Sequence, residues 1–191
     1  MTGATLKELT KQPPCACCEE AGPAAVAAAA ITLLDQCSAF VGSVGPLSYG
    51  VESRVLSGSI GKHIRHTLDH FRAVLDGLEP GGVVDYDNRT RNVPMETDAA
   101  AALTAIGAIR QRLLSIGDGE IGVPVRVRVL LTSDGAQAEL ASTLGRELAF
   151  ASHHAVHHHA MLGAIAAEFG IQTGPEFGKA PSTICHERRT C

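Results

Sequence analysis

The chain has no Trp and few aromatics, 4% of 191 residues. That leaves little material for the aromatic platforms on which nucleic-acid binders stack bases. Basic runs are missing too. Sixteen Lys and Arg are scattered against 20 Asp and Glu, for a formal net charge of −4. Nothing in this balance resembles the electrostatic footprint of a nucleic-acid-binding domain. Long hydrophobic runs are also scarce. The stretch Pro23 to Leu34 is the one candidate; as read from the sequence it is too short to span a bilayer. It follows Glu19 and Glu20 rather than a positive region, which argues against a secretory signal. A cytoplasmic protein with no membrane partner is expected. Of six Cys, five lie near the ends (Cys15, Cys17, Cys18, Cys185, Cys191), so they do not form a framework stapling a core. Cys37 reads as a buried apolar residue.

What is present is ample apolar material, 45% of residues, in a length suited to one domain. Residues 1–21 read as a Cys-containing N-terminal tail, 22–175 as one domain and 176–191 as a C-terminal tail. A first helix begins near Pro23 and ends before Gly42, Gly45 and Pro46. A second starts after Ser59, a natural N-cap, and carries Ile60, Ile64, Leu68, Phe71 and Leu75 at helical spacing. A polar loop, Val83 to Arg91, leads to a third helix capped by Thr97 or Asp98, with Leu103, Ile106, Ile109 and Leu113 as its stripe. The period then changes to two: Val123, Val125, Val127 and Val129 alternate with Arg126 and Arg128, a strand signal. Ser133-Asp134-Gly135 reads as a turn into a second strand, Gln137 to Ala141. The last helix runs from about Thr143 to Phe169. The expected class is all-α, a four-helix bundle with a small β-hairpin inserted before the last bundle helix.

The nine histidines are the strongest signal. His63, His66 and His70 lie on the second helix; His153, His154, His157, His158 and His159 lie on the last. Residues four apart share a helix face, roughly 5–6 Å apart at Cβ, so paired imidazoles there converge on one ion. A third imidazole from the other helix makes a three-histidine site with open coordination positions. Imidazole suits several metals; zinc is expected first, with nickel or iron as alternatives. The helical wheel places His63 and His70 nearer the apolar stripe than His66, and both 153/157 and 154/158 satisfy the spacing. Glu147, seven residues before His154, is a candidate general base. Asp85 or Asp87 is a candidate acceptor orienting a ligand histidine. An Arg of the 85–91 loop is a candidate for an anionic substrate.

Two stretches, SIGKHIRHTLDHF (59–71) and ELAFASHHAVHHHAML (147–162), carry a family resemblance. They resemble the DinB-like superfamily, which includes YfiT-type metal hydrolases, thiol transferases and the bundle domain of ergothioneine-synthesis proteins. The resemblance implies His66, His154 and His158 as the metal ligands. It also implies a divalent-metal-dependent enzyme of hydrolase or thiol-transferase type; Glu147 and Asp87, read from their positions in the chain, are the catalytic candidates. The substrate expected is a small molecule, a low-molecular-weight thiol among the options, and a homodimer stays open. The alternative is a non-catalytic metal-binding or redox-responsive protein using the His cluster and the terminal Cys.

Overall fold

The computed structural model describes residues 21–189. Cys15, Cys17, Cys18 and Cys191, with nearly all of the expected N-terminal tail, lie outside them. The described chain runs through helix α1 (Ala24–Ser43), a single turn α2 (Pro46–Tyr49), α3 (Ile60–Asp76), strand β1 (Val84–Asp85), a 3-10 turn at Pro94–Glu96 and α4 (Ala99–Leu114). A second 3-10 turn (Asp118–Glu120), β2 (Pro124–Leu130), β3 (Gln137–Thr143), α5 (Leu144–Glu168) and α6 (Pro181–Arg189) follow.

Local chemistry sets the helix starts. Ser59 caps α3, its side chain accepting from the Lys62 amide. Asp98 does the same for α4 through the Ala100 amide. Thr143 ends β3 and caps α5, accepting from the Arg146 amide, so strand passes into helix with no loop between. Each cap satisfies an amide that the helix leaves without a partner. The apolar stripes then pack: α3 lies against α5 and α4, and α1 against α4 and α5. Leu34, Ile60, Ile64, Leu68, Phe71, Leu148 and Leu162 are fully buried between them.

The all-α expectation is corrected here. The described residues form a mixed α/β structure, with six α-helices and a three-stranded sheet in the order β1-β2-β3. The hairpin is β2 with β3, antiparallel from Pro124↔Thr143 to Leu130↔Gln137. The strand not expected is β1, which pairs parallel to β2 at Val84↔Val127 and Asp85↔Arg128. Two residues are too few to show a period of two, so the stretch reads as part of a polar loop. Its fate is decided by Val84, which is wholly buried and packs beside α3, and by Arg128, whose guanidinium reaches the Asp85 carboxylate. The 176–191 stretch also differs from an irregular tail. It holds α6, and Phe177 stacks on Phe40, ring centroids 4.9 Å apart.

Helix α1 extends beyond the run read from the sequence. At 20 residues and mean hydropathy 1.7 it is long and apolar enough to cross a membrane by length and composition. One face, including Ala27, Ala30, Leu34 and Cys37, is buried in the core. Burial pushes the Cys37 thiol up to about 12, so it stays protonated and packs as a small apolar group.

Two contacts tie the segment after β1 to α3. Gly61 lets the Pro94–Glu96 turn approach so closely that a Cβ there would sit 2.0 Å from the Glu96 carbonyl oxygen. Arg65 on α3 then pairs with the buried Glu96 carboxylate at 2.9 Å. Residues 86–93 are thereby held across the α3 face that carries the histidines.

Candidate metal centre

Helices α3 and α5 pack side by side, and their facing turns bring His66, His154 and His158 together. One ring nitrogen from each lies within 4.8 Å of the other two. The Nε2 atoms of His66 and His154 are 3.0 Å apart. Two nitrogens bound to one tetrahedral zinc stand about 3.3 Å apart, given Zn–N bonds of ~2.0–2.1 Å. The pair is thus already near the separation that a shared ion demands. His158 is buried, and His66 and His154 are half-buried.

The other histidines separate by position. His153 and His157 are exposed; the His157 ring lies against His158, centroids 5.4 Å apart, but its nitrogens are not among the three that converge. His70 stacks on His154, centroids 3.8 Å apart, and its Nδ1 donates to the His66 carbonyl at 3.0 Å. It acts as a wall of the site and is absent from the group of three. His159 is wholly buried and stacked on Phe177 with centroids 4.7 Å apart, and neither of its ring nitrogens has a hydrogen-bond partner.

His63 has a distinct place. Its Nε2 lies 3.0 Å from the Ser57 carbonyl oxygen, which can only accept, so that nitrogen carries the proton. In the neutral ring Nδ1 is then an acceptor, and it lies 3.1 Å from His158 Nδ1. His158 must donate there, which leaves its lone pair on Nε2. The chain Ser57–His63–His158 therefore fixes the tautomer of a ligand histidine, as partners outside the coordination sphere commonly do.

Electrostatics agree with ligation. Burial, reinforced by neighbouring histidines, drives His158 down to about 2 and His66 down to about 3, and burial with His70 drives His154 down to about 4. All three are neutral near pH 7, the form that binds metal.

The candidate carboxylates stand elsewhere. Glu147 is buried and engaged: Tyr86 Oη donates to Oε2 at 2.6 Å, Ser142 Oγ to Oε1 at 2.5 Å, and the Arg146 guanidinium reaches Oε1 at 3.1 Å. It connects to the histidines through Tyr86, whose ring stacks on His70 at 5.1 Å. Asp87 is exposed and accepts the Leu130 amide at 2.9 Å, closing the end of β2. Asp85 accepts the Asp87 and Asn88 amides. None of these carboxylates hydrogen-bonds His66, His154 or His158.

Two residues border the centre: Tyr86, not singled out in the sequence, and Arg89, one of the two loop arginines between which the sequence does not choose. Tyr86 carries the link to Glu147. Arg89 donates through Nη1 to His66 Nδ1. Both belong to the 83–91 loop, where charge density is visible in the sequence but the residue that turns inward is not.

No family model matches the chain. A relative, FK506-binding protein 5 of Rhizopus delemar, is 36% identical over 108 residues, covering 56% of this chain and 28% of that protein. The chain thus spans little more than a quarter of the length of the relative it matches. This relation overturns the DinB-like resemblance and, with it, the hydrolase or thiol-transferase activity that the resemblance implied; the similarity found is to part of an FK506-binding protein. The physical reason for the misreading is plain. An H-x-x-x-H pair facing a histidine on a neighbouring helix is the general solution for a metal between two helices, and it marks a geometry rather than a lineage.

Proposed function

We propose that this chain holds one divalent cation, zinc first, on His66, His154 and His158. The observation that carries the reading is the convergence of three neutral imidazoles across α3 and α5, one of them with its tautomer fixed from behind. A bound ion cross-links the two helices, and three protein nitrogens leave at least one coordination position for an outside ligand. The test is zinc titration of the untagged full chain followed by elemental analysis. A single tightly held ion is expected, lost in His66→Ala and in His154→Ala/His158→Ala, and retained in His153→Ala. A chain that folds and takes up no metal refutes the reading, as does loss of metal in His70→Ala with retention in His66→Ala.

A second reading rests on the 36% identity to FK506-binding protein 5. On it, the chain binds FK506 and has a peptidyl-prolyl isomerase or chaperone-type role. Calorimetry with FK506 and a prolyl-peptide isomerisation assay test it; saturable binding supports it, and neither binding nor rate enhancement by the folded chain removes it. The two readings use separate measurements and do not compete.

A further inference from the structure

Arg89 has no carboxylate within ion-pair distance among the described residues, although the Asp69 carboxyl is near enough to feel its charge. Among the described residues Arg65, Arg110, Arg112 and Arg128 each reach a carboxylate, while Arg89 pairs with none and its buried Nε has no partner. Its Nη1 turns instead to a neutral imidazole, donating to His66 Nδ1 and lying 3.4 Å from His66 Nε2. Arg89 is half-buried, and an anion that met its fork would make charge-assisted hydrogen bonds that the neutral ring cannot.

Metal in the centre makes the need sharper. If His66 ligates through Nε2, its proton sits on Nδ1, which can no longer accept from Arg89. If it ligates through Nδ1, the guanidinium stands where the ion belongs. In either case Arg89 must turn off the ring, and it remains a positive charge beside a divalent one, where like charges repel. Three neutral imidazoles offset none of this charge. One oxyanion does, with one oxygen on the metal and another on the guanidinium fork, the geometry in which arginine binds carboxylate and phosphate. The cavity of about 300 Å³ that Arg89 also borders is lined by Asp69, Asp76 and Asp85 beside Arg72, so its other cation already has carboxylates around it. The histidine side is where the anion fits.

We infer that Arg89 is the anion-recognising residue of this centre, and that the outside ligand at the open metal position is an oxyanion, a carboxylate or a phosphate. The inference rests on the three-histidine metal reading.

The experiment uses the full chain loaded with Co(II), whose visible absorption reports its coordination, and titrates it separately with acetate and with inorganic phosphate. Wild type should show a saturable spectral shift, and whichever anion binds more tightly identifies the source of the oxyanion. Arg89→Gln should weaken that binding about tenfold or more, the scale of a charged hydrogen bond, while still taking up Co(II). Arg89→Lys should retain part of it. An anion affinity within twofold of wild type in Arg89→Gln overturns the inference, as does the absence of any shift in wild type. Tighter Co(II) binding in Arg89→Gln with unchanged anion affinity also overturns it, since Arg89 then only competes with the metal. Failure of wild type to bind Co(II) is a different result: it removes the metal reading, and the inference with it.

Discussion

Replacing His63 by Leu tests whether the centre is built beyond its three ligands. His63 is 7% exposed, and Leu fills most of its volume, so the core should survive. What disappears is the path from the Ser57 carbonyl to His158, two contacts of 3.0 and 3.1 Å. His158 Nδ1 then has no acceptor, its ring is free to turn, and either nitrogen can carry the proton. Loss of such a partner behind a ligand typically weakens metal binding 10–100-fold, which is about 1.4–2.8 kcal/mol. Competition with a zinc chelator at pH 7.5 measures it, and a circular-dichroism melt confirms that the variant folds. His63→Gln, which can still meet both neighbours, should recover part of the loss. A folded His63→Leu with zinc affinity within twofold of wild type would refute the reasoning. Loss as complete as in His158→Ala would make His63 a ligand rather than a positioning residue.

Further outcomes follow from the packing and the buried polar groups. Gly61→Ala should destabilise by about 3 kcal/mol or more, because its Cβ meets the Glu96 backbone at 2.0 Å and the Tyr49 ring at 2.8 Å; Gly107→Ala, with open space around it on α4, should gain about 0.5–1 kcal/mol, and urea denaturation compares the two. Tyr86→Phe removes the 2.6 Å hydrogen bond to buried Glu147 and should cost about 1–3 kcal/mol in the same assay without changing metal stoichiometry. His159, wholly buried without polar partners, is held down at about 4 by burial. Its folded value lies below the unfolded one, so the unfolded chain takes up the proton first as pH falls. Stability is therefore intact above about pH 6.5 and declines toward pH 4. His159→Leu should melt higher than wild type at pH 7.5, with the gap widening by about 2 kcal/mol at pH 5; an equal gap at both values would show that His159 does not titrate on unfolding.

Much of the element order is legible in the chain. Ser59 and Asp98 act as caps where capping chemistry places them, and the switch from helical spacing to alternation marks β2. The turn at Ser133-Asp134-Gly135 falls between β2 and β3. These signals are local, carried by a side chain and its own backbone or by a period within a dozen residues. What is not legible is non-local. Strand β1 exists because β2 offers an edge to Val84 and Asp85, and a two-residue segment carries no period of its own. The fold class shifts from all-α to mixed α/β on that pairing and on the hairpin it extends.

The histidines divide along the same line. Their residue type and i, i+4 spacing, read from the sequence, put pairs of imidazoles on one helix face. Spacing alone left 153/157 beside 154/158, and the apolar wheel of α3 favoured His70 over His66. A wheel ranks residues by closeness to the stripe, and for His63 and His70 closeness means burial: one is used behind His158 and the other against His154. His66, at the edge of the stripe, is the one that α5 meets. The amino-acid sequence by itself determines that the molecule has helices rich in imidazole with hydrophobic faces to pack. Which nitrogens converge, which histidine stands behind which, and which arginine turns inward depend on how α3, α5 and the 83–91 loop dock, because those relations span many residues of chain and exist only once the core has closed.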